Sequence, residues 1–178
     1  FVNAPRAQVR DAAAALPQAL LQFHGDETPA QCDAAGRPYL RAVRMAPGVD
    51  LLDWGRRFHN ACALLLDAHV EGYGGGGKVF DWSLLPTGVP SRLVLSGGLS
   101  PANVIDGVLH VRPYAVDVSS GVESAKGIKD AAAVRLAERA QDLSQDEDDA
   151  PRGDRAVAVD EILQVQALEV LHRVIEPA

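Results

Sequence analysis

The chain has 178 residues, of which 47% are hydrophobic and 23% charged, a composition typical of a globular protein and not of a disordered or fibrous one. Its longest apolar run, near residues 61–66, is far shorter than the ~20 residues that cross a bilayer, and the first ten residues lack the pattern of a signal peptide. The formal charge of −7 comes from the end of the chain, because residues 1–140 carry 14 Lys+Arg and 14 Asp+Glu, whereas residues 141–178 carry 3 and 10. A neutral body without a basic stripe argues against nucleic-acid binding. We therefore expect a cytoplasmic protein with neither a nucleic-acid nor a membrane partner.

The cysteines and histidines give no metal or disulfide pattern. Cys32 and Cys62 lie thirty positions apart without a C-x-x-C companion, and the five histidines are scattered. We therefore expect neither a disulfide scaffold nor a zinc module. Since the chain begins with Phe1 and its single methionine is Met45, we also expect that a further segment precedes it.

Short apolar runs alternate with helical stretches along the chain. The predicted strands cover residues 20–25, 39–45, 63–68, 92–98 and 114–121, and Phe1 to Asn3 is typical of the end of an earlier strand. The predicted helices cover residues 5–16, 29–36, 49–60, 101–111 and 130–141. Thr28 to Gln31 fits a capping box, and Ser100 and Asp130 are further candidate N-caps. Because the strand runs are almost continuously apolar, they suit a parallel sheet covered on both faces.

Two α/β architectures fit this alternation. The strand spacing of about 24 residues suits a compact (β/α)8 TIM barrel, whereas an open doubly wound sheet would be complete with five or six strands. The glycine-rich turns come late, at residues 72–77, 97–98 and 121, and late phosphate loops favour the barrel. A barrel would be incomplete here, with its first two βα units and the start of the third upstream of Phe1. Its open strand edges would invite self-association.

The chain divides into three predicted parts. Residues 1–142 form the partial barrel, residues 143–155 an acidic linker, and residues 156–178 a helical tail whose apolar residues fall on one side. The tail is either a packing appendage or a docking helix.

Asp67 is the first candidate for chemistry. It closes the apolar strand ALLLDA, and the carboxyl end of a barrel strand lies at the mouth where active sites form. Burial there would suit a carboxyl group to proton donation. The alternative is that Asp67 caps or solvates the following turn.

Two late turns are candidates for anion binding. Gly97 and Gly98 follow one strand, Ser120 and Gly121 follow the next, and each turn precedes a helix start or a further loop. Such turns leave backbone N–H groups free to face an anion. The sequence contains neither a P-loop nor a dinucleotide fingerprint after its first strand, which disfavours nucleotide hydrolysis and dinucleotide binding.

Two further features depend on the architecture. Gln22 and His24 alternate along one strand and so share a face, which in a barrel could be the active-site mouth, although a lone histidine is more often structural. The loop GYGGGGK at residues 72–78 suits a flexible lid or a simple linker.

Taken together, several segments resemble one family. FVNAP, LLQFHGDETP, RAVRM, LLLDA, the Gly-rich loop before FDWS, LSGGLSPANV and VRPYAVDVSSGVESAKGIKD occur in unbroken order from Phe1 to about Ala140. This order resembles phosphoribosylanthranilate isomerase of tryptophan biosynthesis. The resemblance implies a TIM barrel that catalyses the Amadori rearrangement of N-(5-phosphoribosyl)anthranilate, a small phosphosugar, without cofactor or metal.

The resemblance also implies residue roles. Asp67 matches the general acid; Gly97, Gly98, Ser119, Ser120 and Gly121 match the phosphate-binding turns; and Gln22, His24 and Asp117 would line the substrate pocket. The family's general base, the cysteine of a K-I-C-G motif, has no match at Cys32 or Cys62, and the arginine-containing segment after the second strand is also missing. Gly76 stands where the family lid usually has threonine.

Three functions remain open from the sequence. The first is the isomerase itself, and the second is an inactive phosphosugar-binding fragment or half-barrel that needs a partner fragment. The third is another phosphate-binding barrel, such as a sugar-phosphate epimerase or indole-glycerol-phosphate synthase, which would not readily explain LLQFHGDETP and FDWS.

Overall fold

A computed structural model describes residues 1–68 and 79–145, with side chains to residue 140. The parallel strands are β1 (Leu21–Phe23), β2 (Tyr39–Met45), β3 (Ala63–Ala68), β4 (Leu93–Leu95) and β5 (Ala115–Val116). The helices are α1 (Arg6–Ala15), α2 (Pro29–Asp33), α3 (Leu51–Arg57), α4 (Val104–Val111) and α5 (Ala131–Gln145). Three predictions lie outside the described residues: the lid or linker at residues 72–78, the acidic linker of residues 143–155 beyond residue 145, and the helical tail at residues 156–178.

The sheet distinguishes between the two architectures. Its strands pair in parallel in the order β1-β2-β3-β4-β5, which is also their order along the chain. A doubly wound sheet reverses its strand order at a switch point, whereas a barrel adds each strand beside the last. The consecutive order is therefore that of a singly wound (β/α) barrel, as the late glycine turns predict.

Phe1 extends the sheet beyond β1. Its terminal nitrogen donates to Gln22 O at 2.6 Å, and its carbonyl accepts from His24 N at 2.8 Å, which is the alternation of a parallel ladder. Phe1 thus occupies the place expected for the end of an earlier strand, although Phe1 to Asn3 forms no regular strand.

The two faces of the sheet differ in what they bury. The face toward the helices packs large residues such as Phe23, Val43 and Leu66 against Leu51 and Phe58. The opposite face carries smaller residues, namely Leu40, Ala42, Ala63, Leu65, Val94 and Ala115. Because side chains alternate along a strand, Gln22, His24, Asp67, Ser96 and Asp117 fall on this second face or continue its alternation, at the carboxyl edge.

Helix starts follow local chemistry. Thr28 and Gln31 form the predicted capping box, and the Asp130 carboxylate accepts from the amides of Ala132 and Ala133. The expected cap at Ser100 is wrong: α4 begins only at Val104, because the Asn103 side chain accepts from the Ser100 amide and holds the preceding residues in a turn.

The region after β5 also departs from the prediction. The strand expected over 114–121 ends at Val116, and residues Ser120–Val122 form a 3-10 turn. A short antiparallel hairpin, β6 (Glu123–Ala125) with β7 (Ile128–Lys129), follows and was not predicted. Among the helices described, none combines the length and apolarity that crossing a membrane requires.

Candidate active site

Asp67 lies at the carboxyl end of β3 and contacts His24, at the end of β1. His24 Nε2 is 3.1 Å from Asp67 Oδ2, and the two side chains are 26% and 29% exposed. Both groups are therefore held together at an edge that still meets solvent. The strands bring together two residues that the sequence placed separately.

Gln22 completes a short chain of polar contacts. Its Nε2 lies 3.4 Å from His24 Nδ1. A ring tautomer that carries its proton on Nε2 lets Nδ1 accept from this amide and lets Nε2 donate to Asp67. Arg44 of β2 donates to the His24 carbonyl at 3.0 Å and fixes the main chain at the same point.

Gly97 brings the turn after β4 against Asp67. Its φ is +78°, and an added Cβ would overlap the Ala68 amide nitrogen and lie 2.6 Å from Asp67 Oδ1. The absence of a side chain therefore permits both the left-handed backbone and the close approach. Gly98 is also left-handed, with φ +70°.

The two predicted anion-binding turns touch each other. A Cβ on Gly121 would overlap the Leu99 carbonyl oxygen, so the turn after β5 packs directly on the turn after β4. Within residues 1–68 and 79–145, five main-chain amides in these turns donate no hydrogen bond. They are those of Gly97, Gly98, Ser119, Ser120 and Gly121. The structure thus joins two small turns whose amides are available to an anion.

Two side chains that sequence reasoning missed support these turns. The buried Ser96 hydroxyl donates to Asp117 Oδ2 at 2.9 Å and fixes that carboxylate at the end of β5. Lys129 of β7 donates to Ser119 O at 2.8 Å and to Glu123 Oε1 at 3.0 Å. Ser96 directly precedes Gly97 and Gly98 in the SGG motif, and this position could have identified it as a site residue from the sequence.

The cysteines lie away from this edge. Cys32 is fully buried in α2, and burial raises the pKa of its thiol to about 11. Cys62 immediately precedes β3, at the end of that strand opposite Asp67. In the part of the chain that is described, no three His, Cys, Asp or Glu side chains are grouped to share a metal ion.

Comparison with known proteins identifies the relatives of this chain. The family model described as "PRAI: N-(5'phosphoribosyl)anthranilate (PRA) isomerase" matches residues 1–140. The N-(5'-phosphoribosyl)anthranilate isomerase of Methylibium petroleiphilum is 74% identical over 135 residues, which cover 76% of this chain and 63% of that protein. The chain thus spans less than two thirds of the length of this relative.

Solved structures agree with the sequence match. The isomerase from Thermotoga maritima superposes with a TM-score of 0.69 at 37% identity, covering 80% of this chain and 71% of that one. A second phosphoribosylanthranilate isomerase, solved in complex with reduced 1-(o-carboxyphenylamino)-1-deoxyribulose 5-phosphate, gives a TM-score of 0.63 at 31% identity and covers 80% and 69%. These matches, the consecutive parallel strands and the polar carboxyl edge lead to one conclusion: the chain belongs to the N-(5'-phosphoribosyl)anthranilate isomerase family and has its TIM-barrel fold.

Proposed function

We propose that this chain carries the general acid and the phosphate site for the Amadori rearrangement of N-(5-phosphoribosyl)anthranilate to 1-(2-carboxyphenylamino)-1-deoxyribulose 5-phosphate, a step of tryptophan biosynthesis. The observation that carries the proposal is the position of Asp67 at the carboxyl edge, between His24 at 3.1 Å and the turn at Gly97. This arrangement supports the proposal because a carboxyl group that could donate a proton lies beside a turn whose amides could bind an anion.

Asp67 would begin the reaction by protonating the ribose ring oxygen. The C1–O bond then breaks as the anthranilate nitrogen forms a C1=N double bond. A base takes the C2 proton to give an enol, and protonation of C1 with release of the enol hydroxyl proton then gives the ketone. Neither cysteine of this chain matches the family's base for this step. His24 Nε2 faces Asp67 Oδ2. Oδ1, on the side of Gly97, is thus the oxygen left for the transferred proton.

The two late turns would hold the phosphate. Main-chain amides of Gly97 and Gly98 and of Ser119 to Gly121 supply several donors in a small space, as phosphate oxygens require. Asp117, fixed by Ser96, would accept a substrate hydroxyl in the pocket formed with Gln22 and His24. In support, a family member was crystallised with a deoxyribulose 5-phosphate compound.

The loss of substrate fluorescence on incubation with the 178-residue chain tests this assignment. We expect Asp67→Asn to lower turnover at least ~100-fold, because the amide cannot donate the proton that general-acid catalysis needs. Asp53→Asn, at an exposed position on α3, is the matched control and should retain parental turnover. Equal activity of Asp67→Asn and the parent chain would overturn the role of Asp67.

A second candidate function is phosphosugar binding without turnover, or turnover only with a partner fragment. It is favoured by the cysteines: Cys32 is buried with its thiol pKa raised to about 11, and Cys62 lies at the far end of β3, so neither supplies a thiolate beside Asp67. Titration with a product analogue followed by calorimetry separates the two functions. Binding with no turnover by the chain alone would favour this second function over the first.

Two finer proposals concern location and assembly. The Cys32 thiol is buried and forms no disulfide, as is usual in the reducing cytoplasm, where we place the protein. The described residues contribute five strands to the sheet, fewer than the eight that close a TIM barrel, and we propose that the open sheet pairs with a second copy of the chain. Light scattering of the purified chain measures its mass, and a strictly monomeric chain would contradict self-association.

A further inference from the structure

Arg41 lies behind the candidate site, on the face of β2 that meets the helices. It is only 2% exposed, and its guanidinium carbon sits 5.1 Å from the ring centre of Trp54 and 5.0 Å from that of Phe58. A charge buried against two aromatic rings carries a large desolvation cost. Its contacts show what the charge does there.

The Arg41 guanidinium donates to the carbonyls on both sides of His24. One terminal nitrogen is 2.8 Å from Phe23 O, and the other is 2.8 Å from Gly25 O. The planar fork of arginine suits two acceptors held side by side, which a single ammonium group does not. Together with the bond from Arg44 to His24 O, the side chains of β2 hold three consecutive carbonyls.

Glu27 holds the same segment from the amide side. Its Oε2 accepts from Gly25 N at 2.8 Å, its Oε1 accepts from Asn3 N at 2.7 Å, and it is buried 3.8 Å from Arg41. The pair therefore binds the carbonyl and the amide of Gly25, the residue after His24. Replacing two such buried charges by apolar side chains often costs little stability, so their use here is best explained by the geometry they impose.

We propose that Arg41 and Glu27 are positioning residues that orient His24 toward Asp67 from the opposite face of the sheet. The catalytic meaning of this orientation rests on the proposed function of Asp67. The orientation itself is a property of the chain without substrate. It can therefore be measured whether or not the chain turns over phosphoribosylanthranilate.

The test compares two arginines that each bind main-chain carbonyls. Arg41→Lys removes the fork behind His24, whereas Arg37→Lys removes contacts to the carbonyls of Ala13, Pro17 and Ala19, away from the site. Long-range proton–nitrogen NMR spectra from the carbon-bound ring protons of His24 identify which ring nitrogen carries the proton. They are recorded at about pH 8, above the ordinary imidazole range. Dispersion of the backbone amide signals reports folding in each variant.

We expect a proton fixed on Nε2 of His24 in the parent chain and in Arg37→Lys. In Arg41→Lys the two nitrogen resonances should move toward each other, because the ring then exchanges between tautomers. Where the parent chain is active, kcat should fall roughly tenfold to a hundredfold with a smaller change in KM. A parental His24 spectrum in folded Arg41→Lys would overturn the proposal.

Glu27→Gln is a second variant that tests the positioning of His24 if Arg41→Lys does not fold. The amide has one acceptor oxygen, so either Gly25 N or Asn3 N loses its partner while the size of the side chain is kept. We expect the same movement of the His24 resonances, and an unchanged spectrum in this folded variant would overturn the proposal.

Discussion

The candidate site has two ends that are built by different means. At the first end, formed by β1, β2 and β3, ionisable side chains contact one another: His24 with Asp67 on one face of the sheet, and Arg41 with Glu27 on the other. At the second end, formed after β4 and β5, main-chain turns rich in glycine and serine pack together, and Gly121 leaves no room for a Cβ against Leu99 O.

The proposed function accounts for the difference, because the two ends would hold different groups. A proton donor needs one titratable side chain in one orientation, and surrounding side chains must fix it. A phosphate needs several N–H donors at once, which backbone turns provide without burying a positive charge. The geometry of the first end therefore depends on contacts between side chains that are far apart in the sequence. The geometry of the second end depends on glycines, whose lack of a side chain lets the turns pack together.

The largest expected effect comes from filling the second end. Gly97 and Gly127 share a φ of +78°, but a Cβ at Gly97 meets Ala68 and Asp67, whereas a Cβ at Gly127 meets nothing within 4 Å. We expect Gly127→Ala to lower the free energy of unfolding by about 1 kcal/mol through backbone strain. Gly97→Ala adds a clash to that strain and should cost about 3 to 5 kcal/mol.

Urea denaturation of both variants measures this difference. Equal losses in the two variants would mean that the turn at Gly97 does not press on β3, and the distinction between the two ends would then fail. A phosphate-analogue titration of Gly97→Ala, in conditions where it remains folded, should also show weaker binding than Gly127→Ala.

The second end was largely predictable from sequence. Glycines after two consecutive strands and the serines of DVSSG are local signals, since each reflects the backbone of its own turn. Asp67 was predictable for a similar reason, because it follows four apolar residues of its own strand. The consecutive strand order then brought these elements to one edge.

The partners at the first end were not predictable in this way. Arg41 is one of two arginines in the strand sequence YLRAVRM. Nothing in the neighbouring sequence indicates that its guanidinium lies against two aromatic rings or donates to the carbonyls around His24. Glu27 is separated from Asn3 by 24 positions, and at the second end Ser96 is likewise separated from Asp117 by 21. Such contacts depend on strand register and helix placement, which hydrophobic periodicity does not specify.

A smaller effect tests the side-chain contact between Ser96 and Asp117, which joins the ends of β4 and β5 within the second end. Ser96→Ala removes the 2.9 Å hydrogen bond to Asp117, leaving a part-buried carboxylate oxygen without this donor. We expect a loss of about 1 to 3 kcal/mol in the free energy of unfolding. Ser83→Ala, which removes a 2.7 Å bond to the exposed Asp81, should cost no more than about 0.5 kcal/mol. Equal costs in urea denaturation would show that Ser96 does not hold Asp117 in solution.

The smallest expected effect concerns the layer beneath the first end, where Cys32 lies buried. Burial raises its thiol pKa from 9.0 to about 11, while the Arg41 charge opposes part of this rise. Between these values the unfolded chain releases the thiol proton and the folded chain keeps it, so the free energy of unfolding should fall as pH rises from about 9 to about 11. Burial and the hydrogen bond to Asp33 raise the pKa of Tyr39 as well, which extends the decline.

Cys32→Ala separates this ionisation from packing. The variant should be less stable than the parent chain at neutral pH, because a buried side chain is shortened, but its decline at alkaline pH should be shallower. Val9→Ala also removes a buried apolar side chain and has no titratable group, so its stability should run parallel to that of the parent. If all three chains declined in parallel between about pH 9 and about pH 11, the buried thiol would not be the group that couples proton release to unfolding. The alkaline sensitivity would then have to come from other groups, with Tyr39 the first to replace by phenylalanine.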